Sequence, residues 1–223
     1  MIISPLLVLF DLDGTVVDPA GVITGGISAA LSEHGLAVPA PAQLQRMVGP
    51  ALVSGLREIA SVPETLIAQV VHTYRAGYRS HGMAASSPYP GIAECLGSLA
   101  ENGVVCVIAT QKPQWLAEEL LQIQGLRHFF RSVHGSPRDE QEAAALEGKT
   151  TIIAAALNAH EGTFAQAVMV GDRRHDVEGA ARNGLECIGV DWGFAAAGEL
   201  ESAGARTVVS SVRELQEELH GRL

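Results

Sequence analysis

The stretch Leu6-Leu7-Val8-Leu9-Phe10-Asp11-Leu12-Asp13-Gly14-Thr15 (6–15) decides how the chain is read. Five apolar residues run without interruption and stop on a carboxylate. Such a run suits a strand covered on both faces, as in a parallel sheet. In open α/β sheets, ligands bind beyond the carboxyl ends of the strands. Asp11 and Asp13 alternate along an extended chain, and a turn at Gly14 lets both approach one site. Two carboxylates that close repel each other unless a cation lies between them, and Mg2+ is the natural hard cation for oxygen ligands.

Working outward, similar runs recur at VVCVIA (104–109), AVMV (167–170), ECIGV (186–190) and RTVV (206–209), with a weaker one at FRSVHG (130–135). Between them apolar residues return at helical spacing: Ile92, Cys95, Leu96 and Leu99; Leu116, Leu120 and Ile123; Ile152, Ile153, Ala156 and Leu157; Val212, Leu215 and Leu219. This alternation predicts a doubly wound α/β sheet. Residues 19–85 break the rhythm. Ile67, Val70, Val71, Tyr74 and Tyr78 keep helical spacing, and Pro39, Pro41, Pro50 and Pro63 divide the segment into three or four helices. The expected organisation is a core of residues 1–18 and 86–223 with a helical insert at 19–85. The insert holds Arg46, Arg57, Arg75 and Arg79 against Glu33, Glu58 and Glu64, a balance of +1, which leaves −11 for the remainder.

Three further strand ends carry polar groups. Thr110 follows VCVIA, and its hydroxyl with the backbone N–H of Gln111 can bind a phosphate oxygen. Lys149 opens an apolar helix, where a cation opposes the helix dipole and calls for an anionic partner. It is one of two lysines, with Lys112, against thirteen arginines. Gly171-Asp172-Arg173-Arg174-His175-Asp176 follows the fourth run, and a helix starting there puts Asp172 and Asp176 on one face, one turn apart. Each feature alone has a blander reading: a solvated turn, a helix N-cap, a surface lysine, acidic residues at a helix start. Together they converge on one sheet edge as a Mg2+ site beside a phosphate site, with a carboxylate placed to attack phosphorus.

Composition narrows the classes. The chain has 223 residues, with 15 Lys+Arg against 25 Asp+Glu for a net charge of −10. With no basic run it is a poor partner for nucleic acid or a membrane surface. No apolar stretch reaches the ~18 residues of a membrane span. MIISPLLVLF lacks the basic start and cleavage site of a signal peptide, so a cytoplasmic protein is expected. Cys95, Cys106 and Cys187 are odd in number and far apart, which reads as buried free thiols.

D-L-D-G-T, Thr110, Lys149 and G-D-R-R-H-D, in this order, resemble the four motifs of the haloacid dehalogenase (HAD) superfamily. YPGIAECLGSLAENG (89–103) leading to ATQKP is similar to the phosphoglycolate phosphatase-like branch. The resemblance covers essentially the whole chain. It implies a HAD-like, Rossmannoid parallel sheet with a C1-type helical cap after strand one. It implies Asp11 as nucleophile and Asp13 as general acid, then base. Thr110, Gln111 and Lys149 would bind the phosphoryl oxygens. Asp172 would hold Mg2+ with Asp11 and the backbone carbonyl of Asp13, supported by Asp176, Gly14 and Thr15. The implied activity is Mg2+-dependent hydrolysis of a small soluble phosphomonoester through an aspartyl phosphate. Phosphoglycolate, a nucleoside 5′-monophosphate, a sugar phosphate and pyrophosphate are the candidates, and the partner is a small phosphorylated metabolite on a monomer or homodimer.

Two departures stand out. Gln111 replaces the branch's usual Asn, and GSPRDEQEAAALEGK (135–149) is rich in Ala and Glu, with Lys149 its one lysine. Two rivals remain. One is a β-phosphoglucomutase-type mutase, to which nothing in 19–85 points. The other is a non-catalytic phosphate-ligand-binding protein, which would need a broken motif. Lys112 reaches either substrate or an acidic neighbour. Arg173 faces the cleft or pairs with Asp176, the pairing being preferred. Arg46 and Gly49 suggest a substrate-facing turn, Trp115 and Trp192 are expected to pack helices on the sheet, and the histidines show no metal-like spacing.

Overall fold

The computed structural model describes residues 4–139 and 148–223. The Ala- and Glu-rich stretch noted above therefore lies, over 140–147, outside the described residues.

The opening run forms β1 (Ser4–Phe10), and its alternation explains why it is apolar throughout. Leu6, Val8 and Phe10 enter one buried cluster, while Leu7 and Leu9 enter another on the opposite face. All five are fully buried. At ~1.5–3 kcal/mol per large apolar side chain, this strand is a major stabilising element, and it cannot tolerate a polar substitution on either face.

A ribbon follows: β2 (Val17–Asp18) pairs antiparallel with β3 (Ser87–Pro88). Between its two strands the chain is helical: α1 (Val22–Glu33), α2 (Pro41–Gln45), α3 (Leu52–Glu58) and α4 (Glu64–Gly77). A π-helical turn at Tyr78–Gly82 and α5 (Met83–Ala85) complete it. Ile67, Val70, Val71, Tyr74 and Tyr78 are buried, as their spacing required.

After α6 (Ile92–Glu101) the chain enters β4 (Val105–Pro113), α7 (Gln114–Ile123) and β5 (Val133–Ser136). The second half runs α8 (Lys149–Ala159), β6 (Phe164–Gly171), α9 (Arg174–Arg182) and β7 (Glu186–Val190). It ends with α10 (Glu199–Ser202), β8 (Thr207–Val209) and α11 (Val212–His220). Six strands form one sheet in the order β5-β4-β1-β6-β7-β8, every pair parallel. Ile152, Ile153 and Ala156 of α8 and Val177 and Ala180 of α9 cover the Leu7/Leu9 face. Residues of α6, α7 and α11, with the helical insert, cover the other. This is the doubly wound architecture expected.

Three strands differ most from expectation, and one of them, β6, simply starts earlier, at Phe164 rather than 167. β4 does not stop before Thr110 but continues to Pro113, with its pairing to β5 shifted between Ala109 and Pro113. Polar Gln111 and Lys112 extend it because they serve the site rather than the core. β5 begins at Val133, not near 130, because Arg127–Phe129 forms a 3-10 turn.

From β1 the chain next joins the sheet at β4 on one side, whereas β6 leads to β7 on the other. The switch point thus falls between β1 and β6, and the groups at their carboxyl ends are Asp11 and Asp172.

Candidate active site

Asp11 leaves β1 with its N–H donating to the Val170 carbonyl at 2.9 Å, so the first strand end is stitched to β6. Gly14 then turns with φ +90, a conformation that suits glycine. A Cβ at Gly14 would fall 2.3 Å from Asp172 Oδ2, so the turn also lets the backbone pass against that carboxylate. Asp172 is fully buried, and both of its oxygens accept: Oδ1 from Thr15 Oγ1 at 3.1 Å, Oδ2 from Phe194 N–H at 2.8 Å.

One oxygen from each of Asp11, Asp172 and Asp176 lies within 4.8 Å of the others, and all three residues are buried. Lys149, the first residue of α8, brings its ammonium 2.7 Å from Asp11 Oδ1 and 2.7 Å from Asp176 Oδ1. Its third proton goes to the Ala109 carbonyl at 2.9 Å. This is the anionic partner that its unfavourable place at a helix start demanded. Burial pulls the Lys149 pKa down, but Asp11 and Asp176 outweigh it and leave it raised. Three carboxylates against one ammonium still leave excess negative charge in a buried space. Burial, then Asp11 and Asp176, hold the Asp172 carboxyl well above its ordinary range. Asp176 is pushed up to about 6, by burial against the opposing pull of Lys149. Such a cluster is short of one cation, and an all-oxygen donor set fits a hard one.

Asp13 sits apart from that cluster. Its Oδ2 meets Lys112 Nζ at 2.7 Å, in a partly buried pair, and its Oδ1 has no hydrogen-bond partner among the described residues. The Lys112 ammonium also lies 4.4 Å from the Tyr78 ring centroid. Of the two roles open to Lys112, the structure shows the ion pair. Thr110 is buried, and its Oγ1 accepts from the Lys112 N–H at 3.2 Å. Gln111 is half-buried, and its carbonyl accepts from Ser136 Oγ at 2.8 Å.

Asp11, Asp13, Thr110, Gln111 and Lys112 line the floor of a cavity of about 70 Å³. Its roof comes from the insert, including Val48, Gly49, Tyr74 and Tyr78. Of the two residues of the expected cap turn, Gly49 lines the cavity, whereas Arg46 is exposed and does not. Lys149, Asp172 and Asp176 lie behind the floor rather than in it. The sequence reading missed Tyr74, Tyr78 and Ser136; the helical repeat through Tyr74 and Tyr78 was visible, but not which neighbours it would meet.

Arg173 corrects an expectation. Its guanidinium does not pair with Asp176: Nε meets Glu199 Oε1 at 2.9 Å, and Nη1 donates to the Val48 carbonyl. The contact with Asp176 is made by the Arg173 backbone N–H, at 3.0 Å, as an N-terminal cap of α9. Trp115, on α7, packs against the core cluster as expected, and it also carries the guanidinium groups of Arg79 and Arg138 at 5.4 and 4.8 Å from its ring. Trp192 packs against the same cluster and donates to the Thr15 carbonyl at 3.3 Å, beside the site.

A 5′-nucleotidase of Pseudomonas aeruginosa is 33% identical over 195 residues, covering 87% of this chain and 86% of that protein. A phosphoglycolate phosphatase of Caulobacter vibrioides is 32% identical, covering 92% and 86%. The tyrosine-protein kinase PtkA of Mycobacterium tuberculosis is 34% identical over 97% of this chain and 73% of its own. The solved PtkA structure superposes with a TM-score of 0.81 at 33% identity, covering 97% and 98%. Among the described residues no helix is long and apolar enough to cross a membrane. The family model for haloacid dehalogenase-like hydrolases matches residues 8–190, from β1 to the end of β7. With the carboxylates, the lysine and the threonine set at the ends of that sheet, the chain belongs to the haloacid dehalogenase-like hydrolases and, within them, to the phosphatases.

Proposed function

We propose that the chain is a Mg2+-dependent phosphatase that cleaves a small soluble phosphomonoester through a phosphoryl group carried on Asp11. The observation that carries this reading is the buried cluster of Asp11, Asp172, Asp176 and Lys149 set behind the cavity. Asp11 and Asp172, with the Asp13 carbonyl, would hold the ion, which supplies charge neutralisation at the phosphoryl oxygens. Asp11 attacks phosphorus as the bond to the leaving oxygen breaks, and Asp13 gives that oxygen its proton. Asp13 then takes a proton from the water that attacks the aspartyl phosphate, returning Asp11 and releasing phosphate. Thr110 and the backbone at Gln111 orient the phosphoryl oxygens, and Lys149 offsets their charge.

The cavity favours a small leaving group. A water needs ~10–15 Å³ of such space, so about 70 Å³ holds a phosphoryl group and a few further atoms. The test is phosphate release from phosphoglycolate, sugar phosphates, nucleoside 5′-monophosphates, phosphotyrosine and pyrophosphate, with Mg2+ and with EDTA. Release with Mg2+ that stops in EDTA supports the reading. Isomerised sugar phosphate without release points to a mutase. Binding without turnover points to the non-catalytic alternative, and tyrosine phosphorylation from ATP to a PtkA-like role.

Gly171 offers a sharper check. A Cβ there would fall 2.2 Å from Asp176 Cγ, so Gly171→Ala must push that carboxylate aside. We expect the Mg2+ concentration for half-maximal activity to rise roughly 10–100-fold. An unchanged Mg2+ titration would remove Asp176 from the cation's support.

A further inference from the structure

Arg173 stands between two parts of the molecule. On the core side it is fixed at both ends. Its N–H caps onto Asp176 Oδ2 at 3.0 Å, and its Nε meets Glu199 Oε1 at 2.9 Å. Glu199 is itself anchored, accepting from the N–H of Arg174 at 3.0 Å and of Ala196 at 3.1 Å. On the insert side, Arg173 Nη1 donates to the carbonyl of buried Val48. The next residue, Gly49, turns with φ +105, and a Cβ there would come 3.4 Å from Arg173 Cγ. The 46–51 turn thus rests on the stem of Arg173 and is held by its head. Val48 and Gly49 also roof the cavity over Asp11.

We propose that Arg173 is a positioning residue: through Glu199 and the Val48 carbonyl it fixes the roof turn of the insert to the strand end that carries Asp172. The roof over the nucleophile is then registered against the cation-binding carboxylates. A second cross-link, Arg79 to Glu119 at 3.1 Å, is 53% and 34% exposed and contributes little. The Arg173 side chain is 8% exposed, so its bonds are shielded from water. Its kinetic consequence rests on the phosphatase reading; its structural one does not.

The test compares wild type with Arg173→Ala, Arg173→Lys and Glu199→Gln. Amide hydrogen exchange over the peptide spanning 44–52 reports the turn directly. KM and kcat for p-nitrophenyl phosphate, and for the best substrate of the panel, report its use. A hydrogen bond from a charged donor lost from this turn corresponds to roughly a tenfold or greater effect. Arg173→Ala is expected to raise exchange in 44–52 and KM by that factor, with kcat changed much less. Arg173→Lys, whose compact ammonium lacks the fork that reaches both acceptors, and Glu199→Gln, which keeps an accepting oxygen but removes the charge of the anchor, should fall between. If Arg173→Ala does not fold, these two variants decide the matter alone. Unchanged exchange in 44–52, or a fall in kcat with KM and exchange unmoved, overturns the proposal. If wild type releases no phosphate from any ester, the phosphatase reading fails while the exchange measurement still decides the tether.

Discussion

Asp11→Asn is expected to lower kcat by roughly 10⁴-fold or more, the scale on which removing a covalent nucleophile acts. The amide oxygen can still accept from Lys149, which stands 2.7 Å from Asp11 Oδ1, so the site keeps its shape while losing the group that bonds to phosphorus. Acid-quenched wild type, mixed with its best substrate, should carry the mass of a phosphoryl group on the peptide containing Asp11. The variant should not. Turnover surviving in Asp11→Asn within a few fold of wild type would sink the covalent route.

The second large effect runs in the opposite direction. Asp172→Asn should make the metal-free protein more stable while crippling its response to Mg2+. Asp172 and Asp176 both have raised pKa values, Asp176 from 3.8 to about 6, so ionising them costs the fold. The folded chain keeps a proton there that the unfolded chain releases, and stability of the metal-free protein rises as pH falls from 7 through about 6 toward 3.8. For Asp176 the cost near neutral pH is on the order of 3 kcal/mol. Asn at 172 removes one buried charge and keeps both neighbours satisfied: its oxygen accepts from Phe194 N–H, and its amide donates to Thr15 Oγ1. Thermal unfolding in EDTA at pH 7.5 should show Tm raised by roughly 5 °C. Added Mg2+ should stabilise wild type and leave the variant nearly unmoved. A variant less stable than wild type in EDTA would mean that the carboxylates are not in electrostatic excess.

What could be read from the chain alone follows a physical divide. The apolar run at 6–10 and its successors announce strands because a two-sided burial leaves no freedom in residue type. The polar groups at their ends announce a site because parallel strands deliver such groups to one edge. Contacts between distant elements were not legible. The Arg173 bond to Val48 spans 125 positions, and the Lys112 bond to Asp13 spans 99. Nothing local at Arg173 distinguishes Asp176, three residues on, from Glu199 across the sheet edge, and helix periodicity favours the nearer partner. Tyr74 and Tyr78 were visible as an apolar stripe, yet a stripe does not say that Lys112 will lie against one of its rings. The end of β4 was misplaced for a related reason, since Gln111 and Lys112 look like a loop until their neighbours are known.

The ribbon of Val17–Asp18 and Ser87–Pro88 has a consequence for how such a protein changes over time. The excursion from the sheet begins and ends on hydrogen-bonded neighbours, Asp18 opposite Ser87. The entropy of closing a loop between fixed ends grows only with the logarithm of its length. The sheet is therefore nearly indifferent to how many residues travel between those two points. Lineages can rewrite, lengthen or exchange that excursion while the carboxylates and the lysine at the strand ends stay in register. An engineer who cuts at the same two points inherits that freedom, provided the new segment offers Arg173 a carbonyl to hold.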